Sequence, residues 1–426
     1  MKVPIATSQT ILVVGAGISG MTAALEAAEC GREVVLIERS ASLGGRTAQL
    51  YRYFPKMCHP ACGLEINLRR LKGNRNVRVM TMTEVVRIEG KRGAYTVTLK
   101  IRPRYVNENC TVCGACAAAV STEISNPYNY GQDKIKAAHL PYAMAYPQRY
   151  VLDPCLIGTD EANKAKAACK VDAIDLAMQE ETVELAVGAV IWATGWKPYD
   201  AAKIQPYGYG RFPNVVTSVE FERMADPAGP TGGKLLRPSD GQEAKSIAFI
   251  QCAGSRDENH LRHCSRICCM ATLKQTQYVR EACGDAAKST VYYIDIRAID
   301  RFEDFYQMVQ KDASVAFVKS KVASIDQSSN QDLVLHGVDT EGYHRYASTH
   351  DLVVLAIGME PETNGITLPD DLITDSSGFI EGTLDGGMVG AGAAASPLDV
   401  NRSVQSATGA ALRAIKVIHQ TVGEEA

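Results

Sequence analysis

The chain has 426 residues, a hydrophobic fraction of 46%, a charged fraction of 22% and a formal net charge of −3. These values are typical of a soluble globular protein that is long enough for two or three domains. A charge so close to neutral gives no basic surface, so we expect no nucleic acid as a partner. No apolar run approaches the ~20 residues of a membrane-spanning helix. We therefore expect a cytoplasmic protein.

The chain opens with a pattern typical of α/β proteins. Residues 11–15 are a continuous apolar run that predicts a buried parallel strand, and 33–37 predict the next one. Small residues over 18–29 predict the helix between them. Later elements are predicted as strands over 182–192, 247–251, 291–296 and 352–358, with a closing helix over 401–418.

A glycine-rich turn joins the first strand to the first helix. Gly15, Gly17 and Gly20 form a GxGxxG motif, and Glu38 closes the second strand. The glycines permit a tight turn and let a pyrophosphate approach the helix N-terminus, where free N–H groups favour anions. The Glu38 carboxylate can accept hydrogen bonds from ribose hydroxyls. These features together favour a dinucleotide site over a purely structural turn.

Further segments favour FAD over a nicotinamide nucleotide. LGGR (43–46) follows the second strand, ATGW (193–196) ends a later one, and AIGMEP (356–361) looks like a second copy of that element. Residues 389–407 resemble a segment that closes over a flavin, although Ala393 stands where flavoproteins often carry Asp. The expected flavin-binding residues are Gly15, Ala16, Gly17, Ser19, Gly20, Glu38, Arg39, Gly44, Gly45, Arg46, Val85, Thr194, Gly195, Gly358, Gly392 and Ala393.

The second α/β segment has no second GxGxxG motif. Its first strand, over 247–251, is followed by Cys-Ala-Gly-Ser-Arg instead. We therefore do not expect NADH or NADPH to be the electron donor.

The chain carries 13 cysteines, and clustered cysteines in a reducing compartment more often bind metal or do redox work than form disulfides. A CxxCxxC run over 110–116 has ferredoxin spacing, with Val120 in place of its fourth cysteine. A second, decayed run ends at Cys169 and retains at most Cys155. We expect one 4Fe–4S cluster here; an empty insert or a zinc site is the alternative. The expected ligands are Cys110, Cys113, Cys116 and Cys169.

A second cysteine group follows the strand over 247–251. Its spacing is unlike that of a ferredoxin, and Arg256, Arg262 and Arg266 lie within it. We expect their positive charges to lower the thiol pKa values and offset the charge of a bound cluster. A second 4Fe–4S cluster is the leading hypothesis, and structural thiols are the alternative. The expected ligands are Cys252, Cys264, Cys268 and Cys269.

Cys58 and Cys62 form a further pair, after the LGGR turn. They are either a redox pair close to the flavin or packing residues, and we assign no other catalytic residue.

The segments predict a flavoprotein with two dinucleotide-binding-type domains and an inserted ferredoxin-like segment. The expected domains are 1–103 (FAD-binding, first part), 104–178 (ferredoxin-like insert), 179–240 (FAD-binding return and linker), 241–350 (second α/β domain with cysteines) and 351–426 (FAD-binding, last part).

Several stretches together resemble the A subunit of heterodisulfide reductase. They include GAGISGMTAALEAAE, LGGRTAQLYRYFPKMCHPACGLEI, YAMAYPQRYVLD, VIWATGWKPYD, IQCAGSRD, CSRICCM and YYIDIRAIDRFEDFY. Within that family they are most similar to A subunits of quinone-interacting membrane-bound oxidoreductase complexes. Longer family members carry extra ferredoxin domains, which favours the quinone-linked branch for this sequence.

The resemblance implies a thioredoxin-reductase-like fold and a cluster held by the cysteines of CAGSRD and CSRICC. It further implies an electron-transfer role that links the membrane quinone pool to cytoplasmic sulfur metabolism. The implied partners are adenylylsulfate reductase, a second flavin and iron–sulfur subunit, and a membrane subunit that reacts with quinone. Membrane association is then peripheral, through one of these partners.

Three other hypotheses remain open at this point. One is a flavin subunit of the heterodisulfide reductase type that bifurcates electrons. Another is an NAD(P)H-dependent disulfide reductase that uses Cys58 and Cys62. The third is a structural subunit whose flavin and clusters do not turn over.

Overall fold

A computed structural model of the chain describes residues 6–363 and 368–424, and it divides into two compact units. The first unit comprises Met1–Ala48, Ala61–Trp196 and Pro361–Ala426; the second comprises Gln49–Pro60 and Lys197–Glu360. None of the helices in the described ranges combines the length and apolar character that a bilayer crossing requires.

The helices and strands follow in chain order. The helices are α1 (Ile18–Glu29), α2 (Gly45–Ala48), α3 (Ala61–Gly73), α4 (Ala115–Ala118), α5 (Asp160–Ala168), α6 (Ser218–Met224), α7 (Cys268–Cys283), α8 (Phe302–Gln310) and α9 (Val400–Glu424). The strands are β1 (Ile11–Val14), β2 (Val34–Glu38), β3 (Val77–Thr81), β4 (Thr83–Lys91), β5 (Ala94–Ile101), β6 (Glu123–Ser125), β7 (Lys134–Lys136), β8 (Ala138–His139), β9 (Val151–Leu152), β10 (Glu181–Val187), β11 (Ala189–Trp192), β12 (Trp196–Pro198), β13 (Val215–Thr217), β14 (Ser246–Ala253), β15 (Lys288–Tyr293), β16 (Val315–Lys319), β17 (Ser324–Gln327), β18 (Leu333–Asp339), β19 (His344–His350), β20 (Leu352–Ile357), β21 (Met359–Pro361), β22 (Ile373–Thr374), β23 (Ile380–Gly382) and β24 (Met388–Gly390).

A seven-stranded sheet forms the centre of the first unit, in the order β22-β23-β24-β11-β1-β2-β3. Strand β1 is buried along its whole length and pairs in parallel with both β2 and β11. One face packs against α1 and α9 through small residues such as Ala24 and Ala411. The other face packs against an antiparallel sheet of β10, β5 and β4. Burial on both faces explains why β1 and β2 are continuous apolar runs.

The predicted insert has a small core of its own within the first unit. Buried apolar side chains from its strands, turns and α5, among them Val106, Leu152, Ala165 and Ile174, contact one another. Two short hairpins, β6 with β7 and β8 with β9, complete it.

The second unit is built on a parallel sheet in the order β13-β20-β14-β15-β16. Helices α6, α7 and α8 contribute to the core on one face, and an antiparallel sheet of β17, β18 and β19 contributes to the core on the other. Helix α6 begins with a capping box, in which Thr217 and Glu220 satisfy each other's backbone N–H groups. Tyr51, Phe54 and Met57 of the Gln49–Pro60 segment pack against this unit's core.

Predicted elements and observed elements agree closely in the first unit. Helix α1 has the predicted bounds, whereas the predicted strand over 182–192 is two strands, β10 and β11. They meet at Gly188, where a Cβ atom would lie 2.0 Å from the carbonyl oxygen of Ser8.

The unit boundaries differ from the sequence-based ones. Residues 197–240, expected with the FAD-binding domain, cluster with the second unit, as does Gln49–Pro60. The reason is long-range: both segments contribute side chains to that unit's core.

Candidate functional site

The glycine turn after β1 has the geometry of a nucleotide-binding turn. Gly15 has a φ of +97°, and a Cβ atom there would lie 2.5 Å from the carbonyl oxygen of Ala193. A Cβ atom on Gly20 would lie 1.7 Å from the carbonyl oxygen of Gly15, so the helix packs closely on the strand. Gly17 caps α1 without a side-chain hydrogen bond. The first N–H groups of α1 are therefore suited to a phosphate.

Glu38 connects this turn to the end of β2. Its carboxylate accepts hydrogen bonds from Ala16 N at 2.8 Å and from the N and Oγ of Ser40 at 2.9 Å. A carboxylate has about four lone-pair directions, so acceptor capacity is left for ribose hydroxyls. The side chain is thus held beside the glycine turn, and its contact with a ribose stays a prediction.

A buried acid organises two of the predicted arginines. Glu362 is 8% exposed and forms ion pairs with Arg39 at 3.3 Å and with Arg46 at 3.9 Å. Arg46 also donates from Nε to the carbonyl oxygen of Trp196 and from Nη1 to the hydroxyl of Tyr130. Its guanidinium lies 5.2 Å from the Trp196 ring centroid. Both arginines are therefore oriented by protein groups in the first unit.

The later segments of the first unit reach the same turn. Thr194 follows β11, and its Oγ1 is buried with no hydrogen-bond partner among the described residues. Such an orphaned group fits a bound cofactor. A Cβ atom on Gly392 would lie 1.9 Å from Ser19 Oγ at the start of α1, so the C-terminal turn packs against the glycine turn. Ala393 is buried beside it.

Two further residues that we expect to contact the flavin have packing partners in the structure, and their contact with the flavin stays a prediction. The Val85 side chain is buried in the core between the two sheets of the first unit. Gly358 belongs to the second unit, where a Cβ atom would lie 2.7 Å from Ser255 Oγ and 2.6 Å from Leu261. Close packing therefore also requires a glycine at this position.

The insert brings its cysteines into one region. Cys116 is buried in α4, and burial raises the pKa of its thiol to about 11, with Cys110 and Cys113 close enough to add to the rise. Cys169 caps the C-terminus of α5, and its Sγ accepts a hydrogen bond from Ala173 N at 3.3 Å. Cys110 and Cys169 pack on the core that contains Cys116. Three of the four expected ligands thus lie on one small core, whereas Cys113 is exposed but near enough to influence the ionisation of Cys116.

Cys155 is exposed and follows Asp153, whose Oδ1 accepts from its backbone N at 2.9 Å. Val120, in place of the missing ferredoxin cysteine, is buried in the insert core.

The second cysteine group lies at the end of β14 and the start of α7. Cys252 has a φ of +55° at an irregularity of β14, and Cys268 and Cys269 are the first residues of α7. Arg256 donates to Cys252 Sγ at 3.9 Å and pairs with Asp295. The thiols that lie near enough to influence one another's ionisation are those of Cys252, Cys264, Cys268 and Cys269.

Arg256 lowers the pKa of Cys252 as expected, but burial has the larger effect on this thiol. Burial raises the pKa of this thiol above its ordinary value, although Arg256 acts in the opposite direction. Burial likewise raises the pKa of Cys269 to about 11. Desolvation of a thiolate outweighs one nearby guanidinium that itself pairs with Asp295.

No group of three or more His, Cys, Asp or Glu side chains in the described residues is arranged to hold a metal ion. The cluster ligands therefore stay predictions. Among these ligands Cys116 and Cys269 are buried, and thiols are the soft donors that iron–sulfur clusters use.

Cys58 and Cys62 are both free and exposed. Cys58 belongs to the second unit and Cys62, in α3, to the first. Their role as a redox pair stays a prediction.

Sequence reasoning missed Glu362, Trp196 and two insert tyrosines, Tyr130 and Tyr142. Tyr142 donates to the carbonyl oxygen of Leu43 at 2.7 Å, next to the second glycine turn. Tyr142 and Trp196 do lie in the family-like stretches YAMAYPQRYVLD and VIWATGWKPYD, which was the available signal.

Comparison with known proteins bears on the fold and on the cofactor. Residues 10–105 match the family described as FAD dependent oxidoreductase. The chain is also similar to two solved thioredoxin reductases. For that of T. acidophilum the TM-score is 0.51 at 12% identity, covering 96% of this chain and 98% of that one. For that of Lactococcus lactis the values are 0.50 and 14%, covering 97% and 99%. They confirm the predicted fold class.

Curated relatives extend the similarity over most of the chain. An iron–sulfur A subunit of the CoB–CoM heterodisulfide reductase of Methanopyrus kandleri is 36% identical over 95% of this chain and 63% of its own length. The A subunit of the H(2):CoB-CoM heterodisulfide,ferredoxin reductase of Methanothermobacter marburgensis is 34% identical over the same shares, 95% and 63%. The chain thus spans less than two thirds of these relatives. Over most of its length the chain is therefore similar to the A subunits of heterodisulfide reductases, and it carries an FAD-dependent oxidoreductase domain.

Proposed function

We propose that the chain is the FAD and iron–sulfur electron-transfer subunit of a larger oxidoreductase complex. The observation that carries this proposal is the position of the second cysteine group. Cys252 lies near the end of β14, and Cys268 and Cys269 begin α7. In nucleotide-binding sheets of this kind, the turn between such a strand and helix holds the pyrophosphate. Here the turn carries thiols instead.

The first unit supplies the binding groups for FAD. The N–H groups at the start of α1 would hold the phosphates, and the Glu38 carboxylate would accept from the ribose. The unpartnered Thr194 Oγ1 would gain a partner. Glu362 keeps Arg39 and Arg46 in fixed orientations, which lowers the entropy lost on binding.

The thiols of the two groups would hold iron in buried surroundings. When bound, clusters exchange single electrons and FAD exchanges one or two, so together they join one-electron to two-electron chemistry. Burial of Cys116 and Cys269 limits the access of water. Arg256, next to Cys252 Sγ, supplies a positive charge that would offset the charge of four thiolates.

The names of the relatives support a role within a complex. They describe subunits of heterodisulfide reductases, one with H(2) and one with ferredoxin or F(420)H(2) in its name. For this chain we propose a link between the membrane quinone pool and cytoplasmic sulfur metabolism. Its partners would be adenylylsulfate reductase, a second flavin and iron–sulfur subunit, and a membrane subunit that reacts with quinone. The support is the resemblance carried by the family-like stretches of the sequence.

A second candidate function is an electron-bifurcating flavin subunit of the heterodisulfide reductase type. It is favoured by the relative whose name gives both a heterodisulfide and ferredoxin. Pull-down under anaerobic conditions, followed by assays of the captured complex with a quinone analogue and with a heterodisulfide, separates the two. Oxidation of a two-electron donor such as H2 that reduces a heterodisulfide and ferredoxin together, without quinone activity, would replace the quinone-linked proposal.

Cofactor analysis of the anaerobically purified chain tests the basic proposal. We expect one FAD and about eight iron and eight sulfide atoms per chain, the content of two clusters. We expect no flavin reduction by NADH or NADPH, and full reduction by a low-potential one-electron donor. Iron-free protein with FAD that NADPH reduces would instead establish a disulfide reductase. A flavin and clusters that no donor reduces would indicate a structural subunit.

A further inference from the structure

The insert forms hydrogen bonds with the residues immediately before the second glycine turn. Tyr142 donates its hydroxyl hydrogen to the carbonyl oxygen of Leu43 at 2.7 Å. Leu43 N donates to the carbonyl oxygen of Tyr146 at 3.0 Å, and Tyr146 N donates to Ser42 Oγ at 2.9 Å. Ser42 Oγ also donates to the carbonyl oxygen of Tyr146 at 3.3 Å, so four hydrogen bonds join Ser42 and Leu43 to two residues of the insert.

The hydroxyl of Tyr142 also lies against the glycine that follows. Gly44 has a φ of +117°, and a Cβ atom on it would lie 2.7 Å from the Tyr142 hydroxyl oxygen. The Tyr142 ring stacks on Tyr128, with centroids 5.1 Å apart and planes 11° from parallel. Tyr128 in turn donates to the carbonyl oxygen of Ala48. The stacked pair thus contacts the turn and α2 on both sides of Gly44–Gly45.

Tyr142 lies close to the dinucleotide site itself. Burial raises its pKa to about 12, and the negative charge of Glu38 adds to the rise. The phenol is therefore a neutral donor at physiological pH. Glu38 is the carboxylate that also binds Ala16 N in the first glycine turn.

A buried arginine at the start of the insert also forms hydrogen bonds with the region just before the second glycine turn. Arg104 is 6% exposed and donates to the carbonyl oxygen of Arg149 at 3.1 Å and to Thr81 Oγ1 at 3.1 Å. It also donates to the carbonyl oxygen of Ala41, one residue before Ser42. The insert and the residues before the flavin turn are therefore fixed to each other at several points.

We propose that Tyr142, with Tyr128 stacked on it, is a positioning residue of the flavin site, through which the insert sets the affinity of the Gly44–Gly45 turn for FAD. The identity of the ligand rests on the proposed function. The segment expected to hold a cluster then also forms part of the flavin site. By thermodynamic reciprocity, FAD must stabilise the insert in turn.

The test measures FAD binding to the full-length chain with its insert cysteines intact. Tyr142→Phe removes one hydrogen bond but keeps the stacked ring, so we expect the dissociation constant for FAD to rise about 3- to 10-fold. Tyr142→Ala removes the ring as well, and we expect a larger rise. Tyr343→Phe, at a 90% exposed tyrosine of the second unit, is the matched control and should bind FAD like the wild type.

Hydrogen exchange supplies a readout that a merely structural role would not move. In the wild type, adding FAD should slow amide exchange over residues 126–150, and Tyr142→Ala should abolish this slowing. A folded Tyr142→Phe protein with wild-type FAD affinity, or no protection of 126–150 by FAD in the wild type, overturns the inference alone. A wild-type chain that binds no FAD overturns the proposed function as well.

Discussion

At the scale of single residues, His350 is a buried titratable group of the second unit. Its Nδ1 lies 3.0 Å from Ser246 Oγ, and its Nε2 lies 2.9 Å from the hydroxyl of Tyr292. Burial lowers its pKa to about 4, although the neighbouring Asp351 acts in the opposite direction. The imidazole is therefore neutral in the folded chain at physiological pH.

The lowered pKa of His350 predicts that the folded chain loses stability on mild acidification. An unfolded chain binds a proton at this side chain near pH 6.5, whereas the folded chain binds it only near pH 4. The stability that depends on a neutral His350 is fully present above pH 6.5. It is lost as the pH falls toward 4, and the loss reaches up to about 3 kcal/mol. Urea denaturation followed by circular dichroism at pH 7 and pH 5 measures the loss.

The matched variants for this prediction are His350→Gln and His344→Gln. His344 lies in the same strand and is exposed. We expect His350→Gln to show a weaker pH dependence than the wild type, and His344→Gln to retain it. Equal slopes for the wild type and His350→Gln would contradict the assignment.

At the scale of elements, one buried ion pair holds three segments of the second unit together. Lys274 of α7 donates to Glu222 of α6 at 2.7 Å, and both side chains are almost fully buried. Glu222 also accepts from Tyr51 N at 3.0 Å, and Lys274 donates to the carbonyl oxygen of Arg52 at 2.8 Å. Tyr278 donates to the same carboxylate at 2.9 Å. This pair explains why Gln49–Pro60 belongs to the second unit.

Replacement of Lys274 by Met should therefore be strongly destabilising. It leaves the Glu222 carboxylate buried without its counter-charge, which costs about 3–5 kcal/mol. We expect faster proteolytic cleavage within 49–60 and a lower urea midpoint. Adding Glu222→Gln should recover part of the loss, because the uncompensated charge is then gone. Lys288→Met, at an exposed lysine, is the control. A Lys274→Met variant as stable as this control would show that the pair contributes little.

At the scale of the whole molecule, the two cysteine groups belong to different compact units. Cys110 and Cys113 lie in the first unit, and Cys264 and Cys268 lie in the second. The first group packs on the insert core, and Cys268 and Cys269 of the second group donate to carbonyl oxygens of their own unit, so we expect the loss of one group to leave the ligands of the other in place.

Double substitutions should therefore remove the clusters separately. We expect Cys110→Ser with Cys113→Ser, and Cys264→Ser with Cys268→Ser, each to reduce the iron content from about eight to about four atoms per chain. Cys155→Ser should leave it unchanged, because Cys155 is not an expected ligand. Iron and sulfide analysis with EPR of the reduced protein measures this. Loss of all iron in one double variant would refute the independence of the two sites. Loss of iron in Cys155→Ser would refute the ligand assignment.

The features that could be predicted from the sequence depend on neighbours in the chain. The turn from Gly15 to Gly20 and helix α1 were predictable because a strand, a turn and a helix in succession carry a local pattern of apolar and small residues. The first cysteine group was recognisable from its ferredoxin spacing for the same reason, whereas the second stood out only because four cysteines lie within 18 residues. Family-like stretches distributed over the chain then indicated the fold, which the solved thioredoxin reductases confirm.

Only the tertiary structure decided the features that depend on distant residues. Glu362 is more than 300 positions from Arg39, and Tyr142 is 99 positions from Leu43. No local sequence pattern therefore indicates either contact. The net rise of the Cys252 pKa also depends on the tertiary structure. Burial outweighs the effect of Arg256, and burial exists only after folding. Spacing along the chain therefore determined which residues could bind cofactors, whereas packing, burial and long-range hydrogen bonds decided how they are held.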